Sequence, residues 1–197
     1  DEAGVREWST QSDQQCPLNL VIANAGVALG ATRVEDLHDA VVTSYRVNVN
    51  GVFNTVHPAL ERMAARQPRP VNNAQVAIVS SVMGYLGTAR SPAYSSSKAA
   101  IKAYGESLRG AFRNMGIGVS VICPGYVQSG MITRKMPFIV ASDKAAAIIA
   151  RGLARNKGRI TFPWQVVLLG RLAINLPYFL LDRLNKPWGV PGLEKET

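Results

Sequence analysis

The sequence predicts an α/β fold, a parallel sheet with helices on both faces. Three observations predict it. Short, almost continuously apolar runs alternate with longer segments whose apolar residues recur at helical spacing. Alternation of that kind builds strand–helix–strand crossovers. Gly26, Ser81 and Pro124-Gly125 each fall just after an apolar run, where ligands bind in such sheets.

The elements follow in order. Residues 1–15 read as a polar helix. Leu18 to Ala25 is a strand buried on both faces, and Val34 to Ala40 a short helix. From Asp39 to Arg66 apolar residues stand at helical spacing (Val42, Tyr45, Val49, Val52, Phe53, Val56, Leu60 and Met63). A loop from Gln67 to Ala74 precedes the second strand, Val76 to Ser80. Pro92 suits the start of a helix that runs to Met115, ahead of Gly116. Val119 to Cys123 is the third strand, stopped by Pro124-Gly125. Ser142 can cap a helix over 143–156 that Gly158 ends. Ile160 to Phe162 is the fourth strand.

Composition narrows the function. A chain of 197 residues with 47% hydrophobic residues suits one domain with one sizeable core. The two cysteines, Cys16 and Cys123, and two histidines, His38 and His57, have no metal-ligand spacing, so no metal is expected. Nothing suggests a disulfide framework, which fits a reducing, cytoplasmic setting. The start of the chain has no basic stretch followed by an apolar one, so it does not read as a signal peptide. The net charge of +9 raises the question of nucleic acid. Its cations (Arg62, Arg66, Arg109, Arg113, Arg151, Arg155 and Lys157) instead gather near predicted helix C-termini, where they oppose the helix dipole. Nucleic acid is therefore not an expected partner.

The chemistry gathers at Tyr94-Ser95-Ser96-Ser97-Lys98. A tyrosine and a lysine four apart on a helix share one face. A nearby ammonium would lower the phenol's pKa, making it a usable acid and base. Ser81-Val82-Met83-Gly84 puts a serine thirteen residues before the tyrosine. Upstream lie Ala23-Asn24-Ala25-Gly26 and Asn48-Val49-Asn50-Gly51. Downstream lies Pro124-Gly125-Tyr126-Val127-Gln128-Ser129. These five signals, in this order over residues 1–162, resemble the short-chain dehydrogenase/reductase family.

The resemblance implies a Rossmann-like sheet and hydride transfer between NADP or NAD and a carbonyl or alcohol. It implies that Tyr94 is the acid/base, that Lys98 tunes it and bonds the nicotinamide ribose, and that Ser81, rather than Ser80, orients the carbonyl. Asn48, rather than Asn50, would hold a water linking Lys98 to solvent. Asn24, Ala25 and Gly26 would approach the adenosine ribose, with Ala23 replacing the family's first asparagine. Pro124, Gly125, Val127 and Ser129 would contact the nicotinamide, as Tyr94 and Lys98 also do.

The glycine-rich phosphate loop and first strands of the family pattern do not occur in this sequence. The resemblance thus implies roughly sixty further residues. The expectation is a piece of a longer protein or, alternatively, another chain covering the exposed strand. Residues 1–162 are read as the C-terminal part of the dinucleotide-binding domain, and 163–197 as an apolar extension and tail.

Tyr85, Leu86, Tyr126, Met131 and Met136 could line a pocket for a lipophilic substrate, with 129–140 as a lid. A lipophilic substrate and the basic charge tilt the choice toward NADP. The apolar segment 163–184 is interrupted by Gly170, Arg171, Asn175 and Pro177, which disfavours membrane crossing. Peripheral membrane contact and homo-oligomerisation remain as expected partners. The alternative function is an inactive fragment or non-catalytic assembly module.

Overall fold

The computed structural model describes residues 2–30, 33–66, 74–89, 91–128 and 137–185. Its four strands are β1 (Leu20–Ala23), β2 (Ala74–Val79), β3 (Ile117–Pro124) and β4 (Arg159–Phe162). They pair in parallel in the order β1-β2-β3-β4. The helices are α1 (Glu2–Gln15), α2 (Val34–Tyr45), α3 (Gly51–Ala65), α4 (Pro92–Ala111), α5 (Ser142–Ala154), α6 (Trp164–Ile174) and α7 (Tyr178–Asn185).

Alternation along the strands sorts side chains between two cores. Val21, Ala23, Val76, Ile78, Ile117 and Val119 belong to the larger core, with Val52, Val56, Met63 and Ile101 from the helices. Ala77, Ile122, Ile160 and Phe162 belong to the smaller one, with Ala145 and Leu153 of α5. Helix α4 lies so close to the sheet that a Cβ on Gly105 would stand 2.6 Å from Val121 Cγ2. Gly105 is therefore a packing requirement. On the α5 face, Leu20 and Ile22 are exposed, and an open trough of about 790 Å³ runs between β1 and α5.

Three sequence expectations change in detail. The two helices expected between Val34 and Arg66 form one continuous rod, with a π-helical turn at Arg46–Asn50 joining α2 to α3. Helix α4 ends at Ala111, and a short 3₁₀ turn carries the chain to Gly116, whose φ of 70° suits glycine. Ser142 is not the N-cap of α5. It is the first helical residue, after Ala141, and its hydroxyl donates to the Gln128 carbonyl. The apolar extension contains α6 and α7, and its tail beyond 185 lies outside the described residues.

Candidate active site

Four predicted groups converge at the C-terminal end of the sheet. Helix α4 carries Tyr94 and Lys98 one turn apart, started by Pro92 in its first turn. Lys98 is almost fully buried, and its Nζ donates to the Val79 carbonyl at 2.9 Å. The same Nζ stands 5.8 Å from the centroid of the Tyr94 ring. Burial lowers the Lys98 pKa from 10.5 to about 8.

The structure corrects the expected electrostatics of Tyr94. Burial pushes its phenol up, and a hydrogen bond with Ser81 only partly offsets that. The ammonium does not dominate; it bonds the end of β2 and stands beside the Tyr94 ring.

Ser81 follows β2 and caps a short 3₁₀ turn, Val82–Gly84. Its Oγ accepts from the Met83 N–H at 3.2 Å and donates a long bond to the Pro124 carbonyl at 3.4 Å. That weak bond leaves the hydroxyl free to turn toward another acceptor. Ser80 has a separate structural role. Its buried hydroxyl donates to the Lys98 carbonyl at 2.7 Å, pinning α4 to the end of β2. A Cβ on Gly84 would stand 2.8 Å from the same carbonyl oxygen. The Ser-x-x-Gly spacing therefore lets the serine turn press against the α4 backbone.

Asn48 sits fully buried in the π-helical turn, while Asn50 is exposed. Its Oδ1 accepts from the Val27 N–H at 2.8 Å, and its Nδ2 donates to the Val27 carbonyl at 2.9 Å and to Ser97 Oγ at 3.0 Å. Ser97 Oγ in turn donates to the Tyr94 carbonyl at 2.9 Å. The chain of contacts joins the loop after β1 to the turn of α4 that carries Tyr94 and Lys98. Gly26 lies in that loop. A Cβ there would stand 3.1 Å from Lys98 Nζ and 3.2 Å from Asn48 Oδ1.

Asn24 and Ala25 are exposed just beyond β1. Gly125 donates to the Phe162 carbonyl at 2.7 Å, which brings the start of α6 beside the Pro-Gly turn. Val127 pairs with Val140 as an isolated parallel bridge. Ser129, Met131 and Met136 lie outside the described residues. Tyr85, expected in a substrate pocket, is half-buried. Lys102 Nζ stands 4.8 Å and Arg159 Cζ 5.7 Å from its ring centroid, and its hydroxyl meets Thr161 at 3.3 Å.

Sequence reasoning missed Val27, Val79 and Ser97 as partners of the site. Val27 and Val79 act through backbone groups that no side-chain pattern reveals. Ser97 sits inside the Tyr-x-x-x-Lys stretch, and its small hydroxyl facing inward with Lys98 was the available signal.

The chain belongs to the short-chain dehydrogenase family, whose family model matches residues 2–138. It is 35% identical over 169 residues to an uncharacterised oxidoreductase of Myxococcus xanthus, a match covering 84% of this chain and 64% of that protein. The chain thus spans less than two thirds of that relative's length. Among solved structures, the apo form of LigD from a Sphingobium strain matches with a TM-score of 0.73 at 26% identity, over 92% of this chain and 71% of LigD. A short chain dehydrogenase from Burkholderia cenocepacia, solved with NADP, gives a TM-score of 0.76. It covers 94% of this chain and 76% of its own, and at 17% identity it shows the fold alone.

Proposed function

We propose that this chain carries the catalytic half of an oxidoreductase moving hydride between NADP or NAD and a lipophilic carbonyl or alcohol. The observation that carries the proposal is the convergence of Tyr94, Lys98, Ser81 and Asn48 at one end of the sheet. The residues fit the nicotinamide side of a dinucleotide. Gly26 keeps the space beside Lys98 Nζ clear of a Cβ, and that ammonium has donors beyond the one given to Val79. Asn24, Ala25, Pro124, Gly125, Val127 and Ser129 would complete the contact.

A bound nicotinamide dinucleotide supplies or takes up the hydride. In the reducing direction the Tyr94 hydroxyl donates its proton to the carbonyl oxygen. Ser81 donates a second hydrogen bond to the same oxygen, giving up its long bond to Pro124. Lys98 holds positive charge below pH 8 beside the reacting phenol. Asn48 keeps the loop after β1 in register with α4. Its family role of holding a water toward Lys98 is part of the proposal. The charge of +9 and the lipophilic substrate expected here tilt the proposal toward NADP over NAD.

The test is fluorescence titration of this chain with NADPH and NADH, then reduction of a long-chain ketone. Tyr94→Phe is expected to leave binding and fold intact and lower turnover by about 10²- to 10⁴-fold. Full turnover by that variant overturns the assignment of Tyr94. Folded wild-type chain that binds neither nucleotide overturns the proposed activity for this chain.

A further inference from the structure

The cations near the end of α5 do more than face a helix terminus. Arg151, Arg155, Lys157 and Arg159 line one cleft of about 220 Å³, which runs along β4 to Thr161 and is floored by Ile148, Gly152 and Ile160. Arg159 also pairs with Glu106. Among the described residues, no carboxylate is ion-paired with Arg151, Arg155 or Lys157. From Lys144 to Leu181 the sequence contains six lysines and arginines and no aspartate or glutamate. Asp143 and Asp182 bound that run.

An apolar surface begins three residues beyond the cleft, at most about 11 Å along the chain from Thr161 to Trp164. Trp164, Leu168 and Leu172 recur every four residues of α6, so they share one face. Trp164 is 69% exposed, and Leu168, Leu169 and Leu172 are each about half exposed or more. Phe179 of α7 adds a fifth large apolar side chain, 70% exposed. Val166 and Val167, on the other side of α6, are half-buried. The polar side chains of α6 are Gln165 and Arg171; so apolar a helix belongs under cover, and among its described side chains the large apolar ones that are covered lie on one side. No described helix is long and apolar enough to cross a membrane.

We propose that the β4 edge and helices α6 and α7 form a docking face for an anionic lipid bilayer. The cleft cations would take lipid phosphates, and Trp164, Leu168, Leu172 and Phe179 would enter the boundary between headgroups and acyl chains. Charge decides between this occupant and a second copy of the chain. A two-fold contact places a patch against itself. Centred on this face it would bring the two basic clefts together, with no acid from Lys144 to Leu181 to offset them and with Glu106 already held by Arg159. An anionic bilayer satisfies both parts of the face. Because α6 leaves the chain beside Gly125, docking there would hold the proposed active site close to the lipid surface. The proposal stands independently of the catalytic one.

The test is flotation of the full chain with vesicles of phosphatidylcholine alone and of phosphatidylcholine mixed with phosphatidylglycerol. Binding is expected only to the mixed vesicles, with release at high salt. Combined Arg151→Ala, Arg155→Ala and Lys157→Ala is expected to weaken partitioning by roughly a hundredfold. Leu168→Ser with Leu172→Ser is expected to abolish it, with thermal melts confirming that both variants fold. Brominated phosphatidylglycerol in the mixed vesicles is expected to quench the tryptophan fluorescence of the wild-type chain, a readout that needs no variant. Equal binding to both vesicles, or no binding by folded protein, overturns the proposal. So does a cleft that binds inorganic phosphate while removal of its cations leaves vesicle binding unchanged, since the cleft then serves free phosphate. A concentration-dependent dimer that Leu168→Ser disrupts, without vesicle binding, assigns the face to self-association and also overturns it.

Discussion

At the residue scale, the role proposed for Lys98 stands in opposition to stability. Its folded pKa of about 8 lies below its ordinary 10.5 because burial penalises the ammonium. Between those values the unfolded chain binds more protons than the folded one, so stability rises as pH goes from about 8 to 10.5. Below pH 8 the whole penalty is present, of order 3 kcal/mol. Lys98→Met keeps the packing and removes that cost, while leaving the Val79 carbonyl without its side-chain donor, a loss of about 1 kcal/mol. The variant is expected to be more stable at pH 7 by about 2 kcal/mol and to lose the rise in stability above pH 8. It is also expected to lose catalysis. Urea unfolding across this pH range checks it, and an unchanged pH profile would show that Lys98 is not the group responsible. The pairing of Tyr94 with Lys98 was legible because it is local: four residues on one helix decide it. The clamp of Asn48 on Val27 spans 21 residues and uses both backbone groups of Val27. Only the fold brings those groups together. The misjudged pKa of Tyr94 has the same origin, since burial is a property of the packed site.

At the scale of elements, the strand runs were readable because each is short, apolar and bounded by turn residues. Element ends were less so. The π-helical turn that aims Asn48 inward interrupts a continuous apolar period, which that period does not reveal. Ser142 has the chemistry of a cap, but its hydroxyl is taken by Gln128 across a tertiary contact. A comparable contact anchors α1. Asp13, near the end of α1, accepts from the Leu18 N–H and from Arg62 and Arg66 beside the end of α3. Burial alone would raise its carboxyl, but those three donors outweigh it and hold the pKa below the ordinary 3.8. The stabilisation is present above the unfolded pKa and is lost as pH falls through the lower folded value. Asp13→Asn is expected to cost about 2 kcal/mol at pH 7 and to remove this part of the acid sensitivity. Equal denaturation midpoints for wild type and variant at pH 7 would show the cluster to be energetically idle.

At the scale of the whole molecule, the two faces of the sheet differ. Helices α3 and α4 pack against one core, with α1 lying on α3, while α5 meets the other face near β3 and β4. Strand β1 pairs on one side with β2, and among the described strands it forms an edge. Alternation turns Val21 and Ala23 into the core and leaves Leu20 and Ile22 at 45% and 44% exposure, lining the trough with Val79 and Ile149. An apolar strand with an unpaired edge is a template for pairing with another chain, and the trough beside it adds exposed apolar surface. The chain on its own is therefore expected to associate through β1 as concentration rises. Leu20→Lys with Ile22→Lys places charge on that strand without entering the core cluster that holds Val21 and Ala23. The double variant is expected to stay monomeric in light scattering at concentrations where wild type grows, with an unchanged thermal midpoint. Association through α6 and α7 would survive these substitutions, so persistent growth would remove β1 as its cause and point to the apolar face of the C-terminal helices.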